Sequence, residues 1–134
     1  MTLAIALFAL QAALPMVTIS QGSSSQILRP REVVANNADE WREIWRAHSA
    51  TNTPAETVDW SRFMVVGIFL GSRPSAGYSV AITAVTSRDG TTTVEYTERA
   101  PAPGAISAQV LTSPFHIVRI PRTTDKIVFR RSPA

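Results

Sequence analysis

The sequence predicts an α+β fold, mostly β, in which an antiparallel sheet of six or seven short strands carries one amphipathic helix over residues 38–48. Three observations lead there. Helical periodicity occurs once: Trp41, Ile44, Trp45 and His48 recur at i, i+3, i+4 and i+7, so one face is apolar and must lie on a sheet. Short alternating or apolar runs bounded by Gly, Pro and Asp fill most of the remaining chain, as strands do. Asp89-Gly90 stands between two such runs, a strong signal for a tight antiparallel hairpin. At 134 residues the chain has room for one domain.

In chain order, Thr2 to Val17 is apolar and small, with no charge before Arg29. Residues 1–15 read as a signal peptide cleaved between Gln11 and Val17, although a positively charged start is missing. The competing reading is a first strand at Met16 to Ser20. The run falls short of the roughly 20 residues of a membrane span, so no stable span is expected after cleavage, and the mature protein is expected to be periplasmic or secreted. After the turn Gly22-Ser23-Ser24-Ser25, an edge strand is expected from Gln26 through Val34, with Pro30 excluding a central position. Asn37 is placed to cap the helix, and Glu40 to complete a capping box. Trp41 and Trp45 share its buried stripe and are expected in the core.

The run Phe63 to Leu70 is continuous and apolar, as in a buried strand. Tyr78, Val80, Ile82 and Ala84 then alternate with smaller or polar residues, and Thr92, Val94 and Tyr96 continue the alternation on the returning strand. Ala100 to Ala105 is a Pro-rich surface loop. The last strands are expected at Gln109 to Leu111, Phe115 to Ile120 and Ile127 to Arg130.

Between the buried strand and the alternating one lies Gly71-Ser72-Arg73-Pro74-Ser75-Ala76-Gly77-Tyr78. Pro74 fixes its own φ and extends Arg73, while the glycines can take positive φ, so the loop should be shaped rather than floppy. Arg73, Pro74, Ala76, Gly77 and Tyr78 are therefore the expected partner-binding residues, with arginine and tyrosine among the types enriched at interface hot spots. Arg73 is expected to be free of the core.

Composition excludes several classes. The twelve arginines and the single Lys126 give a net charge of +3 but are scattered, which argues against a nucleic-acid surface. With no cysteine there is no disulfide framework, thiolate metal site, cysteine nucleophile or lipidated start. The two histidines, His48 and His116, have no partner at a catalytic or metal-binding spacing. No enzyme activity, metal or cofactor is expected.

Three blocks in this order resemble the PrcB C-terminal domain family, named for a subunit of a secreted protease complex. The first is Asp39-Glu40-Trp41 with Ile44-Trp45 and His48, similar to the family's helix. The second is Val58-Asp59-Trp60-Ser61 through Val66, followed by Gly71-x-x-Pro74-x-x-Gly77-Tyr78-x-Val80-x-Ile82. The third is Gln109 to Val118. Trp60 stands where the family usually has Phe, and Ala76 where Gly is common. The resemblance places the domain at residues 26–131 and implies an exported, non-catalytic protein-binding module that stabilises or docks a secreted protease or other envelope protein. Residues 74–78 also resemble the loop of chagasin-type protease inhibitors, whose paired-glycine and Arg-Pro-x-Trp loops are missing here. An inhibitor acting through residues 71–78 is thus the alternative, and a small-ligand-binding envelope domain the second alternative.

Overall fold

An unbroken apolar run is stable as a strand only when both its faces are covered, and Phe63–Phe69 is used in that way. In the computed structural model, which describes residues 11–134, it forms β4 at the middle of a three-layer arrangement. Residues 1–10, most of the stretch read as a signal peptide, lie outside the described residues. The elements before β4 are β1 (Ala12–Ala13), β2 (Val17–Gly22), β3 (Arg31–Ala35) and α1 (Ala38–His48). Those after it are β5 (Ser79–Arg88), β6 (Thr91–Arg99), β7 (Phe115–Pro121) and β8 (Lys126–Arg131).

Among the described residues, eight strands form two four-stranded sheets rather than one. The central sheet runs β2-β7-β4-β3 and the outer sheet β1-β5-β6-β8. On one face of the central sheet, Val33, Ala35, Val65, Phe69, Phe115 and Ile117 pack against Trp41 and Ile44 of α1. On its other face, Met64, Val66, Ile68, Val118 and Ile120 meet Val80, Ile82, Val85 and Val94 of the outer sheet. The period-2 direction of strand side chains explains the split, since odd positions of β4 and β7 reach the helix and even ones the second sheet.

The helix matches its expected bounds. Asn37 Oδ1 accepts from the Glu40 amide at 2.9 Å, while Glu40 Oε1 accepts from the amide of Asn36 rather than Asn37, one residue earlier than in a standard capping box. Asp89 and Gly90 have φ of 50° and 78°, the type I′ signature expected of a two-residue hairpin.

Four expectations are corrected. The edge strand begins at Arg31, not Gln26, because the preceding backbone is spent elsewhere: Ser25 N–H donates to Ser113 O and Gln26 N–H to His48 O. Ala84 is not the inward residue. The β5–β6 register shifts between Ile82 and Ala84, a bulge that hands the buried position to Val85. Gln109 to Leu111 is not a strand; Val110 and Leu111 stand exposed. Finally, β8 runs parallel to β6. After β7 the chain turns at Asp125, whose carboxylate accepts from Ser87 Oγ at 2.7 Å and Thr92 Oγ1 at 2.9 Å, and Lys126 N–H then donates to Gly90 O, starting β8 beside the first residue of β6.

Candidate interaction surface

The loop 71–78 is shaped, as its glycines and proline require. Gly71 and Gly77 have φ of 79° and 94°, in the left-handed region. A Cβ on Gly71 would lie 2.8 Å from Pro30 N, and one on Gly77 2.8 Å from Pro101 Cγ. Backbone bonds stitch the loop to its neighbours: Ser72 N–H donates to Leu28 O, Arg73 N–H to Thr112 O, Thr112 N–H to Arg73 O, and Ala76 N–H to Ala108 O. Thr112 Oγ1 also donates to Ser75 O, and Ser75 is buried.

Of the five expected contact residues, the structure leaves Pro74 and Gly77 exposed, with Ala76 and Tyr78 half-buried. Arg73 is different. Its Nε donates to Glu98 Oε1 at 2.7 Å and its NH1 to Leu70 O at 3.0 Å, and the side chain is 23% exposed. The second Glu98 oxygen takes Arg131 NH2 at 2.7 Å. The Arg73 hydrogen bond, with the charge of Arg131 assisting, holds the Glu98 carboxyl below its ordinary range despite the opposing effect of burial. Arg73 therefore braces the loop to β6 and β8, contrary to the expectation from sequence that it is free of the core and available to a partner.

Four residues that sequence reasoning missed supply exposed apolar surface at this same end. Leu28 is 61% exposed, Val110 53%, Leu111 82% and Ile106 fully exposed. Leu28 carries the carbonyl bonded to Ser72, and the other three lie on the segment that Ala108 and Thr112 tie to the loop. For two of them a signal was present: Val110 and Leu111 lie just before Pro114, which cannot donate to a ladder.

The histidines are structural. His116, on the inner face of β7, accepts from the Ile82 amide through Nδ1 at 2.8 Å, so its proton sits on Nε2 and is donated to Thr18 Oγ1 at 2.9 Å. Together with Gln21 Nε2, which donates to Val80 O, it ties the open edge of β5 to the central sheet. His48 packs edge-on against Phe115 with centroids 4.3 Å apart, and its Nδ1 lies 2.9 Å from Ser25 Oγ. Burial lowers both imidazole pKa values. The Ser25–His48 pair is sealed at 2% and 6% exposure. Among the described residues no cluster of three or more His, Asp or Glu side chains is placed to hold a metal ion, and no helix is long and apolar enough to cross a membrane.

These features define a helix-backed, two-sheet β domain with a braced loop and an apolar rim at one end. A family model described as PrcB C-terminal matches residues 64–121, the segment from β4 through β7 that contains the braced loop and the rim residues from Ile106 to Leu111. This segment belongs to that family, and the resemblance drawn from the second and third sequence blocks is borne out over it. The helix block, Asp39 to His48, lies outside the matched span. No curated protein and no solved structure matches the chain.

Proposed function

We propose that the chain is an exported, non-catalytic protein-binding module whose contact surface is the end formed by Pro74, Ala76, Gly77 and Tyr78 together with Leu28, Ile106, Val110 and Leu111. The observation that carries this reading is the apolar rim. Among the described residues, four of the five large apolar side chains left exposed lie on segments bonded to one loop, and such a concentration on a rigid scaffold is characteristic of a protein contact site. The PrcB C-terminal match supports a secreted protease or other envelope protein as the partner. Export itself rests on the uncharged apolar start of the sequence.

A photo-crosslinking residue at Leu111 tests the surface in cells. It should give a discrete adduct in the envelope fraction, whereas the same residue at exposed Thr83 on β5 should give none. Equal labelling at both positions would remove the proposed surface. Intact-mass measurement of the exported form tests processing, and a mass that still includes Met1 would count against it. The inhibitor alternative is weaker, because a loop that enters an enzyme cleft must project, and here Ser75 is buried and Ala76 is tied to Ala108.

A further inference from the structure

A cleft lies on the opposite face of the central sheet from the outer sheet, between α1 and residues 49–60, with a volume of about 650 Å³. All three tryptophans of the chain line it. Trp41 forms the floor at 3% exposure, while Trp45 and Trp60 are half-buried. The 49–57 segment is buckled onto the helix by the indoles themselves: Trp41 Nε1 donates to Glu56 O at 3.0 Å and Trp45 Nε1 to Thr53 O at 2.8 Å. With both donors engaged, these two rings are fixed in direction, 5.5 Å apart and tilted by 53°. They offer a guest carbon faces and edges rather than N–H groups.

The cationic donors on the lining come from a second ridge of the same helix. Arg42 and Arg46 stand one turn apart, each one residue beyond a tryptophan, and both lie on the cleft. Arg42 has one acidic partner, Asp39 at 3.0 Å, in a surface pair of which both members are largely exposed. Arg46 has no acidic partner among the described residues. Glu56 is the one acidic residue on the lining, and Asp39, which pairs with Arg42, lies off it, so Arg46 is the unpaired cation of the cleft among the described residues. The volume falls within the range of small-molecule pockets, and tryptophan surface beside paired guanidinium groups is complementary to a flat apolar ring bearing an anionic group.

We propose that this cleft binds a small aromatic carboxylate, with the ring over Trp45 and Trp60 and the carboxylate toward Arg42 and Arg46. The site is independent of the protein-contact surface proposed above, since it is built on α1 and residues 49–60 and shares no residue with the 71–78 end. The three indole N–H resonances give a direct readout, because every tryptophan reports from the cleft. Titrating the ¹⁵N-labelled full chain with phenylacetate should shift the Trp45 and Trp60 resonances saturably. The neutral isostere phenylacetamide should bind about tenfold more weakly or worse, the size expected when a charge-assisted hydrogen bond is lost. Arg46→Gln, an exposed change, should weaken phenylacetate by a similar factor without moving the melting temperature. Equal affinity for the carboxylate and the amide would overturn the proposal, as would shifts produced by a neutral oligosaccharide but not by phenylacetate, or no saturable shift at all.

Discussion

Two loops meet at one end of this domain and divide the work between them. The first, residues 71–78, holds the residue types usually associated with recognition, yet it spends them on its own shape. Arg73 reaches back to Glu98, Gly71 fits against the Leu28–Pro30 backbone, and Ser75 is buried under Thr112. The second, residues 101–112, looks like a linker followed by a strand, yet it leaves Ile106, Val110 and Leu111 in solvent. A side chain's chemistry therefore does not locate a contact surface until its hydrogen bonds have been assigned. An arginine bonded to a carboxylate and a backbone carbonyl is scaffold, and an exposed leucine is surface.

Glycine substitution should separate the loops most sharply. Gly71→Ala combines a positive φ with overlap against fixed backbone at Pro30 and Leu28, and should cost about 3 kcal/mol in urea unfolding. Gly104→Ala has a similar φ of 80° but nothing within 4 Å, so only the conformational strain of about 1 kcal/mol remains. Equal costs at the two sites would mean that the first loop is no more tightly held than the second.

Arg73→Ala should follow, at about 1 to 2 kcal/mol, because it removes a largely enclosed charged hydrogen bond and leaves Glu98 to Arg131 alone. Glu98→Gln should do nearly the same, and the double variant should cost less than the sum of the two. Additivity would show that the pair does not act as a brace.

A smaller effect is expected with pH, from the two buried histidines. His48 and His116 have folded-state pKa values below the ordinary 6.5, so the unfolded chain binds protons that the folded one does not. Their contribution is present above pH 6.5 and is lost as pH falls below it. Stability should decline as the pH falls from about 6.5 through the lowered folded values, a range in which few other groups titrate. Glu98 acts lower: its depressed pKa contributes above the ordinary 4.5, and that contribution is lost as the pH falls through its folded value. A flat profile above pH 5.5 would contradict the neutral Nδ1-acceptor state assigned to His116.

Much of the fold was legible because local pattern and tertiary role agree. The helix carries its cap and its stripe in twelve consecutive residues, and the Asp89-Gly90 hairpin is encoded in two. The second sheet was hidden for a physical reason. Alternation in β5 and β6 announces one buried face without saying what covers it. The unbroken apolar run of β4 did imply cover on both faces, a consequence that one helix on a single sheet cannot satisfy. The slip at Thr83 and the parallel placement of β8 depend on partners far along the chain, Glu95 and Gly90 among them, and no window of sequence displays those. The candidate surface was half legible. The position and rigidity of the 71–78 loop followed from its glycines and proline. The role of Arg73 did not, since Glu98 lies 25 residues away on another strand.

The central claim is that partner contact comes from the exposed rim and not from the braced loop's arginine, and Leu111→Asp tests it most directly. Leu111 is 82% exposed, so the variant should unfold within about 0.5 kcal/mol of the parent. Its affinity for the protein crosslinked through position 111, measured with purified components, should fall by at least about tenfold, because a charge is placed in the centre of an apolar contact. Parent-like affinity in a parent-like fold would contradict the account.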